Sequence, residues 1–223
     1  MKTKCLFAAF FISLTPALAS AASIDFVGLG KAEVVTVAGV RNVRAWAGEL
    51  NWAWIDGKPA GWENNFYSYC VDLLNNETDP QNVTISSTDA MVTTNYGAQK
   101  AAWLFNTYAS IVHGASGTAA MGAGLQLAIW EVLYDDGVSL TAGDKFRVAA
   151  ASSQALDAGA NYLSALASTG DAYKSANATL LDAPAGYGQD QIITNPVPEP
   201  ATILLLGTGL AGLTARRRKK SQA

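Results

Sequence analysis

The C-terminal end of the chain contains a long uncharged segment that does not suit a water-soluble fold. Fifteen residues, Ala201 to Ala215, carry no charge, and five consecutive cations follow them: Arg216, Arg217, Arg218, Lys219 and Lys220. As a helix, the uncharged run measures about 22 Å at about 1.5 Å per residue, against a hydrocarbon core of about 30 Å. Long arginine stems extend the apolar length, and clustered cations favour the cytoplasmic side. We therefore predict a single transmembrane helix at 201–215.

A short proline motif precedes this predicted helix. Pro198, Glu199 and Pro200 stand immediately before Ala201, and prolines keep such an approach extended and accessible. A Pro-Glu-Pro element, one apolar segment and a basic end together resemble the sorting tail of PEP-CTERM proteins, which exopolysaccharide-producing bacteria pass to a membrane-embedded exosortase. The resemblance implies exosortase as a processing partner and an inner-membrane precursor with a cytoplasmic C-terminus. It also implies final delivery to the cell surface or the extracellular matrix.

The N-terminal end is typical of a secretory signal peptide. Lys2 and Lys4 precede the apolar stretch Cys5 to Leu14, and Ala17-Leu18-Ala19 offers a small-residue cleavage site, with Ala19-Ser20-Ala21 as an alternative. The sequence therefore predicts three regions: a signal peptide at 1–21, an exported domain at 22–194 and a sorting tail at 195–223.

The exported part of the chain is acidic. From Asp25 to Glu199 it carries eighteen acidic and eight basic residues, a net charge of about −10, whereas the full chain carries −3. This charge argues against binding to nucleic acid or to anionic surfaces. Because Cys5 lies in the signal peptide, Cys70 is the one cysteine of the exported chain, so no intramolecular disulfide can form.

Hydrophobic periodicity predicts an α+β domain. Alternating apolar residues and turn formers indicate strands before and after a helical middle, whose segments are rich in Ala and Leu at three- and four-residue spacing. The predicted strands are Ile24–Ile55 (two or three strands), Phe66–Leu74, Lys174–Leu181 and Gln189–Thr194, and the predicted helices are Ala98–Ile111, Ala119–Tyr134 and Gly143–Ser168, the last capped by Asp144. We expect β-sandwich or barrel-like strands with an inserted helical portion, followed by the single C-terminal transmembrane segment.

Cys70 and Gln126 are the residues that best suit chemistry in this domain. On a strand, Tyr67, Tyr69 and Val71 share an apolar face, and Cys70 points the other way. Gln126 stands in a strongly apolar helix, where an unpaired buried amide costs about 1–3 kcal/mol. The plainer interpretation is that Cys70 fills space in the core and that Gln126 hydrogen-bonds to a neighbouring loop.

The surroundings of these two residues resemble the thioester domains of bacterial surface adhesins. The matching segments are Phe66-Tyr67-Ser68-Tyr69-Cys70-Val71-Asp72 and Leu125-Gln126-Leu127-Ala128-Ile129-Trp130, and Leu125 replaces the Thr of the family's TQxAIW segment. The resemblance implies an internal thioester between the side chains of Cys70 and Gln126, which an external amine or hydroxyl can capture. Tyr67, Tyr69, Trp130 and Tyr134 are candidates for a wall that keeps water away.

Two functions follow as hypotheses. The first is a secreted surface or biofilm-matrix protein that attaches covalently to an extracellular amine- or hydroxyl-bearing polymer or exopolysaccharide. The alternative is a non-covalent matrix or carbohydrate-binding module, for which Trp52, Trp54 and Trp62 offer a sugar-stacking surface. A thioester reacts once per molecule, so we expect no enzyme, and we expect no cofactor. His113 is the sole histidine, which excludes a multi-histidine metal site and leaves a Cys70–His113 hydrolase without a third residue.

Overall fold

Antiparallel strands and three helices build the domain. The computed structural model describes residues 20–91 and 96–194. The strands are β1 (Ser20–Gly39), β2 (Val43–Asp56), β3 (Asn65–Cys70), β4 (Gln81–Ser87), β5 (Phe146–Ala150), β6 (Thr179–Asp182) and β7 (Gln191–Ile193). The helices are α1 (Gly97–His113), α2 (Ala119–Tyr134) and α3 (Ser153–Ala167), with short 3₁₀ turns at Thr88–Ala90 and Ala172–Ser175.

Six of the strands close into an antiparallel barrel. Their order is β2-β3-β7-β6-β4-β1, and β1 pairs back onto β2 to complete the ring. Closure depends on the length of β1, since Ile24 lies opposite both Trp54 of β2 and Gln81 of β4. The C-terminal end of β1, from Thr36 to Gly39, pairs with β5 rather than with β4. The predicted α+β class is thus confirmed in its barrel form, with the helices inserted between β4 and β6.

Irregularities in the β1–β2 ladder let these long strands bend. The register shifts between Phe26 and Gly28 and again between Leu29 and Ala32. Opposite the second shift, Gly48 has a φ of 136°, and a Cβ atom there would collide with the main-chain oxygen of Lys31. Such bulges increase strand twist and allow a sheet to curl, so both strands pass from the barrel into the layer beneath the helices.

Two separate cores result from this arrangement. The barrel interior is filled by apolar side chains from its strands: Ala22, Ile24, Leu50, Trp52, Trp54, Val83, Leu181 and Ile193. A larger core lies between the outer face of the sheet and the helices and includes Tyr69, Phe105, Leu127, Trp130 and Phe146. Cys70 belongs to this second core and therefore lies where the barrel meets the helical layer.

Helix α2 is the central helix of that layer. It is buried around most of its circumference, as an almost wholly apolar sequence requires, and the side chain of Thr118 caps its first turn by accepting from Met121 N. Gly124 permits the close contact with α3, because a Cβ atom there would lie 2.7 Å from Ala158 Cβ. The predictions of helices at Ala98–Ile111 and Ala119–Tyr134 are confirmed.

The predicted helix at Gly143–Ser168 is wrong in its first part. Phe146–Ala150 forms β5, in which Phe146 and Val148 are buried while Arg147 is exposed, an alternation typical of a strand. The helix begins only at Ser153, and its cap is Ser152, whose hydroxyl accepts from Ala155 N, rather than Asp144. The pairing of β5 with β1, a tertiary contact, overrides the local helical composition.

The strand predictions differ from the structure at three further places. The chain at Lys174–Leu181 begins as a 3₁₀ turn and becomes strand β6 only at Thr179. Strand β4 was not predicted, because four of its seven residues are Asn, Thr or Ser and mask the buried Gln81 and Val83. The predicted strand at Phe66–Leu74 ends early, at Cys70.

The two terminal regions lie largely outside the described residues. This applies to the signal peptide up to Ala19 and to the whole tail from Asn195, including the transmembrane helix predicted at 201–215. Strand β1 begins at Ser20, so the last two residues of the predicted signal peptide pair with Ile85 and Thr84 of β4. Within residues 20–91 and 96–194, no helix has the length and apolar character needed to cross a membrane.

Candidate functional site

Cys70 is the last residue of β3 and is almost fully buried, with 3% of its surface exposed. Val71 N still donates to the main-chain oxygen of Asp190, and the chain then leaves the sheet, because the next two main-chain donors have side-chain partners: Asp72 N donates to Cys70 Sγ and Leu73 N to the Tyr134 hydroxyl. Tyr69, Cys70 and Val71 are all buried, so both faces of the strand are covered at this end.

Gln126 lies directly against Cys70. Its Oε1 accepts a hydrogen bond from Cys70 N at 3.0 Å, and its Nε2 donates to Cys70 O at 2.7 Å. The two residues that the sequence singles out are therefore brought together by the packing of α2 across the end of β3. The same two bonds pair the buried carboxamide, so the cost of an unpaired amide does not by itself favour a thioester.

The Cys70 thiol is held in its neutral form. Sγ donates to Asp72 O at 2.9 Å and accepts from Asp72 N at 3.3 Å. Burial raises the pKa of the thiol well above its ordinary value, and the charges of Glu77 and Asp72 act in the same direction. Because the thiolate is the stronger nucleophile, this environment does not activate the thiol through a lowered pKa.

The turn that follows Cys70 is fixed by buried polar groups. Asp72 accepts from Leu74 N at 2.7 Å and from Asn75 Nδ2 at 2.6 Å. Gln189 donates from one nitrogen to the main-chain oxygens of Asp72 and Asn75. This network fixes the main chain on the C-terminal side of Cys70.

The predicted aromatic wall is present only in part. Trp130 is buried and lines a cavity together with Cys70. Tyr134 donates to Val71 O and accepts from Leu73 N, and so supports the turn. Tyr69 is buried against Phe105 in the helical core. Tyr67 instead stacks on His113, so it belongs to a different part of the surface.

A cavity of about 380 Å³ borders Cys70. Besides Cys70 and Trp130 it is lined by residues that sequence reasoning missed, including Arg41, Trp46, Glu77 and Gln189. Arg41 donates to the main-chain oxygens of residues 73–75 and so borders the turn. No local sequence pattern marks these residues, because they come from strands and loops that only the barrel brings together.

His113 is committed to another site. Its Nδ1 lies 3.0 Å from Oε2 of the buried Glu49, and its ring stacks on Tyr67 at 4.2 Å. The structure therefore offers no Cys70–His113 arrangement for a hydrolase. Among residues 20–91 and 96–194, no group of three or more His, Cys, Asp or Glu side chains is placed to hold a metal ion.

The tryptophans proposed for sugar stacking are divided between core and surface. Trp52 is completely buried inside the barrel, where its Nε1 donates to Ser68 Oγ at 2.8 Å. Trp54 is 7% exposed and contacts the partly exposed Trp62 edge-on. Trp54 and Trp62 line a surface groove, whereas Trp52 contributes mainly to the barrel core.

Comparison with known proteins bears on the tail. Residues 196–219 match the family model described as the PEP-CTERM protein-sorting motif. The chain carries a PEP-CTERM sorting signal. This motif spans Pro198, Glu199, Pro200 and the cations Arg216 to Lys219, and it supports an exosortase substrate that is exported and held by its C-terminal signal before processing. No curated protein and no solved structure matches the chain.

Proposed function

We propose that this exosortase substrate is a surface or matrix protein that attaches covalently through an internal thioester between Cys70 and Gln126. The observation that supports this proposal best is the position of the Gln126 carboxamide. Two hydrogen bonds hold it against Cys70 in the interior of the domain. An ordinary carboxamide is a poor electrophile, so such a reaction needs fixed placement and limited water.

The bond-forming step needs no other reactant. Sγ of Cys70 attacks Cδ of Gln126, the thiol proton passes to Nε2, and the C–N bond breaks to release ammonia. Negative charge develops on Oε1 during this step, and Cys70 N, which already donates to Oε1 at 3.0 Å, stabilises that charge. The products are one thioester and one ammonia.

The thioester then acts as an activated acyl group. An amine or a hydroxyl of an extracellular polymer or exopolysaccharide enters the cavity that borders Cys70 and attacks the same carbon. The C–S bond breaks, an amide or ester forms on the former Gln126 side chain, and the proton of the nucleophile goes to the Cys70 sulfur. Each molecule reacts once, so the protein is a covalent anchor rather than an enzyme.

The intact mass of the protein purified after export, compared with the mass expected from its sequence, tests this proposal. Loss of ammonia lowers the mass by about 17 Da, and methylamine then adds to Gln126 while freeing the Cys70 thiol. Cys70→Ser and Gln126→Glu should each keep the full mass. Gln99→Glu, which changes a glutamine of α1 outside the site, should still show the loss. A native chain of full mass, with one thiol that titrates in denaturant, overturns the proposal.

The second candidate function is a non-covalent matrix protein in which Cys70 and Gln126 are structural. It is favoured by the completeness of the existing hydrogen bonds, since the carboxamide is paired through both its oxygen and its nitrogen without any covalent step. In that case Gln126 joins α2 to β3, and methylamine leaves the protein unchanged. The same mass measurement therefore separates the two candidates.

A further inference from the structure

A second concave site opens beside the β2–β3 hairpin. This groove has a volume of about 560 Å³, within the range of about 300–1,000 Å³ that is usual for small-molecule sites. It shares no lining residue with the cavity at Cys70. Six of its lining residues carry rings: Trp52, Trp54, Trp62, Phe66, Tyr67 and His113.

The rings of the groove are held in place before any ligand arrives. Trp54 contacts Trp62 at a centroid distance of 5.6 Å and Phe66 at 4.7 Å. On the other side, Tyr67 and His113 stack at 4.2 Å with an interplanar angle of 14°. The buried Glu49 fixes that stack through its 3.0 Å contact with His113 Nδ1. Rigid aromatic walls lower the ordering cost of binding.

Polar groups accompany these rings. Asn51, Glu63, Asn65 and Thr194 also line the groove and offer amide, carboxylate and hydroxyl groups. Flat apolar faces beside scattered donors and acceptors suit a sugar ring, which has one apolar C–H face and hydroxyls around its edge.

The charged side chains at the groove indicate which class of sugar it can bind. No Lys or Arg side chain lines the groove in the described part of the chain, and Glu63 adds a carboxylate. The nearby Lys58 donates to the main-chain oxygen of Trp62. Since the exported chain carries a net charge of about −10, uronic-acid and sulfated polymers are repelled from this surface.

We propose that the groove binds an uncharged hexose polysaccharide, reversibly and independently of Cys70. A sugar ring stacks within the ring-lined walls, and Asn65 and Glu63 hydrogen-bond to its hydroxyls. The inference does not rest on the thioester, because the two sites share no residue. Together they give one molecule a reversible contact with a glycan and a separate covalent attachment.

Affinity gel electrophoresis of the full chain in a sugar-free detergent tests the groove. We expect migration to be retarded by at least one of three neutral polymers, dextran, hydroxyethyl cellulose and galactomannan, but not by alginate. Trp62→Ala should weaken binding about tenfold, since aromatic anchors dominate binding energy. Asn65 is exposed, so Asn65→Ala should leave the fold intact, and it should also weaken polysaccharide binding measurably. Cys70→Ser should bind as the unmodified sequence does.

The matched control is Tyr187→Ala, which removes an exposed ring outside the groove and should leave binding unchanged. The proposal is overturned if none of the three neutral polymers retards the protein. It is also overturned if Trp62→Ala and Asn65→Ala both bind like Tyr187→Ala. Quenching of tryptophan fluorescence by a proline-rich peptide, without retardation by any polymer, would assign the groove to a protein partner instead.

Discussion

The side chain of Gln126 bridges the main-chain N–H and C=O of Cys70, a residue 56 positions earlier in the chain. This bridge joins the central helix α2 to the last residue of β3, so it connects the helical layer with the barrel. It also holds the Gln126 carboxamide against the residue that carries the one thiol of the exported chain. The stability of the domain and its proposed chemistry therefore depend on the same contact.

Replacing Gln126 should destabilise the domain. In Gln126→Leu, the N–H and C=O of Cys70 lose their side-chain partner in a buried setting, which costs about 2 kcal/mol or more. Denaturant unfolding of the full chain measures the change. Gln154→Leu, an exposed glutamine on α3, is the control and should shift stability by less than about 0.5 kcal/mol. Equal stability of the two variants would contradict the bridging role.

The buried carboxyl of Glu131 should make stability depend on pH. No partner in hydrogen-bond geometry reaches its oxygens among the described residues. Burial, followed by the charges of Asp135 and Asp136, raises its pKa from 4.5 to about 7, and nearby main-chain N–H groups offset only part of this rise. The folded state thus binds the proton more tightly than the unfolded state does. Stability should fall as pH increases between about 4.5 and 7, by up to about 3 kcal/mol.

Glu131→Gln should remove this part of the pH dependence. The neutral amide has no proton to lose, so the difference in unfolding free energy between this variant and the unmodified sequence should grow from pH 4.5 to pH 7. Asp157→Asn, at an exposed position on α3, should leave the slope unchanged. Thermal unfolding across that pH range checks both variants, and parallel curves for Glu131→Gln and the unmodified sequence would refute the prediction.

The start of α3 can be located by two alanine substitutions. Ser152→Ala removes the hydroxyl that accepts from Ala155 N and donates to Glu33 Oε2 at 2.7 Å, so it should cost about 1 kcal/mol. Asp144→Ala changes an exposed residue before β5 and should have almost no effect. Urea denaturation of both variants gives the comparison. If Asp144→Ala lowered the stability more than Ser152→Ala does, the result would contradict this helix start and favour the longer helix predicted from composition.

The proline motif should control processing. Changing Pro198, Glu199 and Pro200 together to Ala removes the center of recognition while leaving the apolar segment and basic end intact. Uncleaved precursor should then accumulate in the inner membrane, which fractionation and immunoblotting detect. Pro184→Ala, an exposed proline of the folded domain, should be processed normally. Normal surface delivery of the triple variant would contradict the sorting role.

Local patterns accounted for the elements whose signal is strong within one segment. Helices α1 and α2 follow from dense apolar residues at helical spacing, and their predicted limits agree with the structure to within two residues. Strands β4 and β5 were not predicted from the sequence. Polar residues in β4 and the Ala-rich stretch at β5 obscure the alternation of buried and exposed residues. Pairing with the distant strand β1 stabilises both of them, and no short window of sequence contains that information.

The sequence by itself determined that this protein carries a PEP-CTERM sorting signal, because such signals are short, contiguous and recognisable from composition and charge. It also pointed to Cys70 and Gln126 as a pair of candidates. Only the tertiary structure decided their contact, the paired state of the carboxamide and the existence of the aromatic groove. Each of these depends on barrel closure and on the seating of α2 against β3, which bring together residues from separate strands, loops and helices.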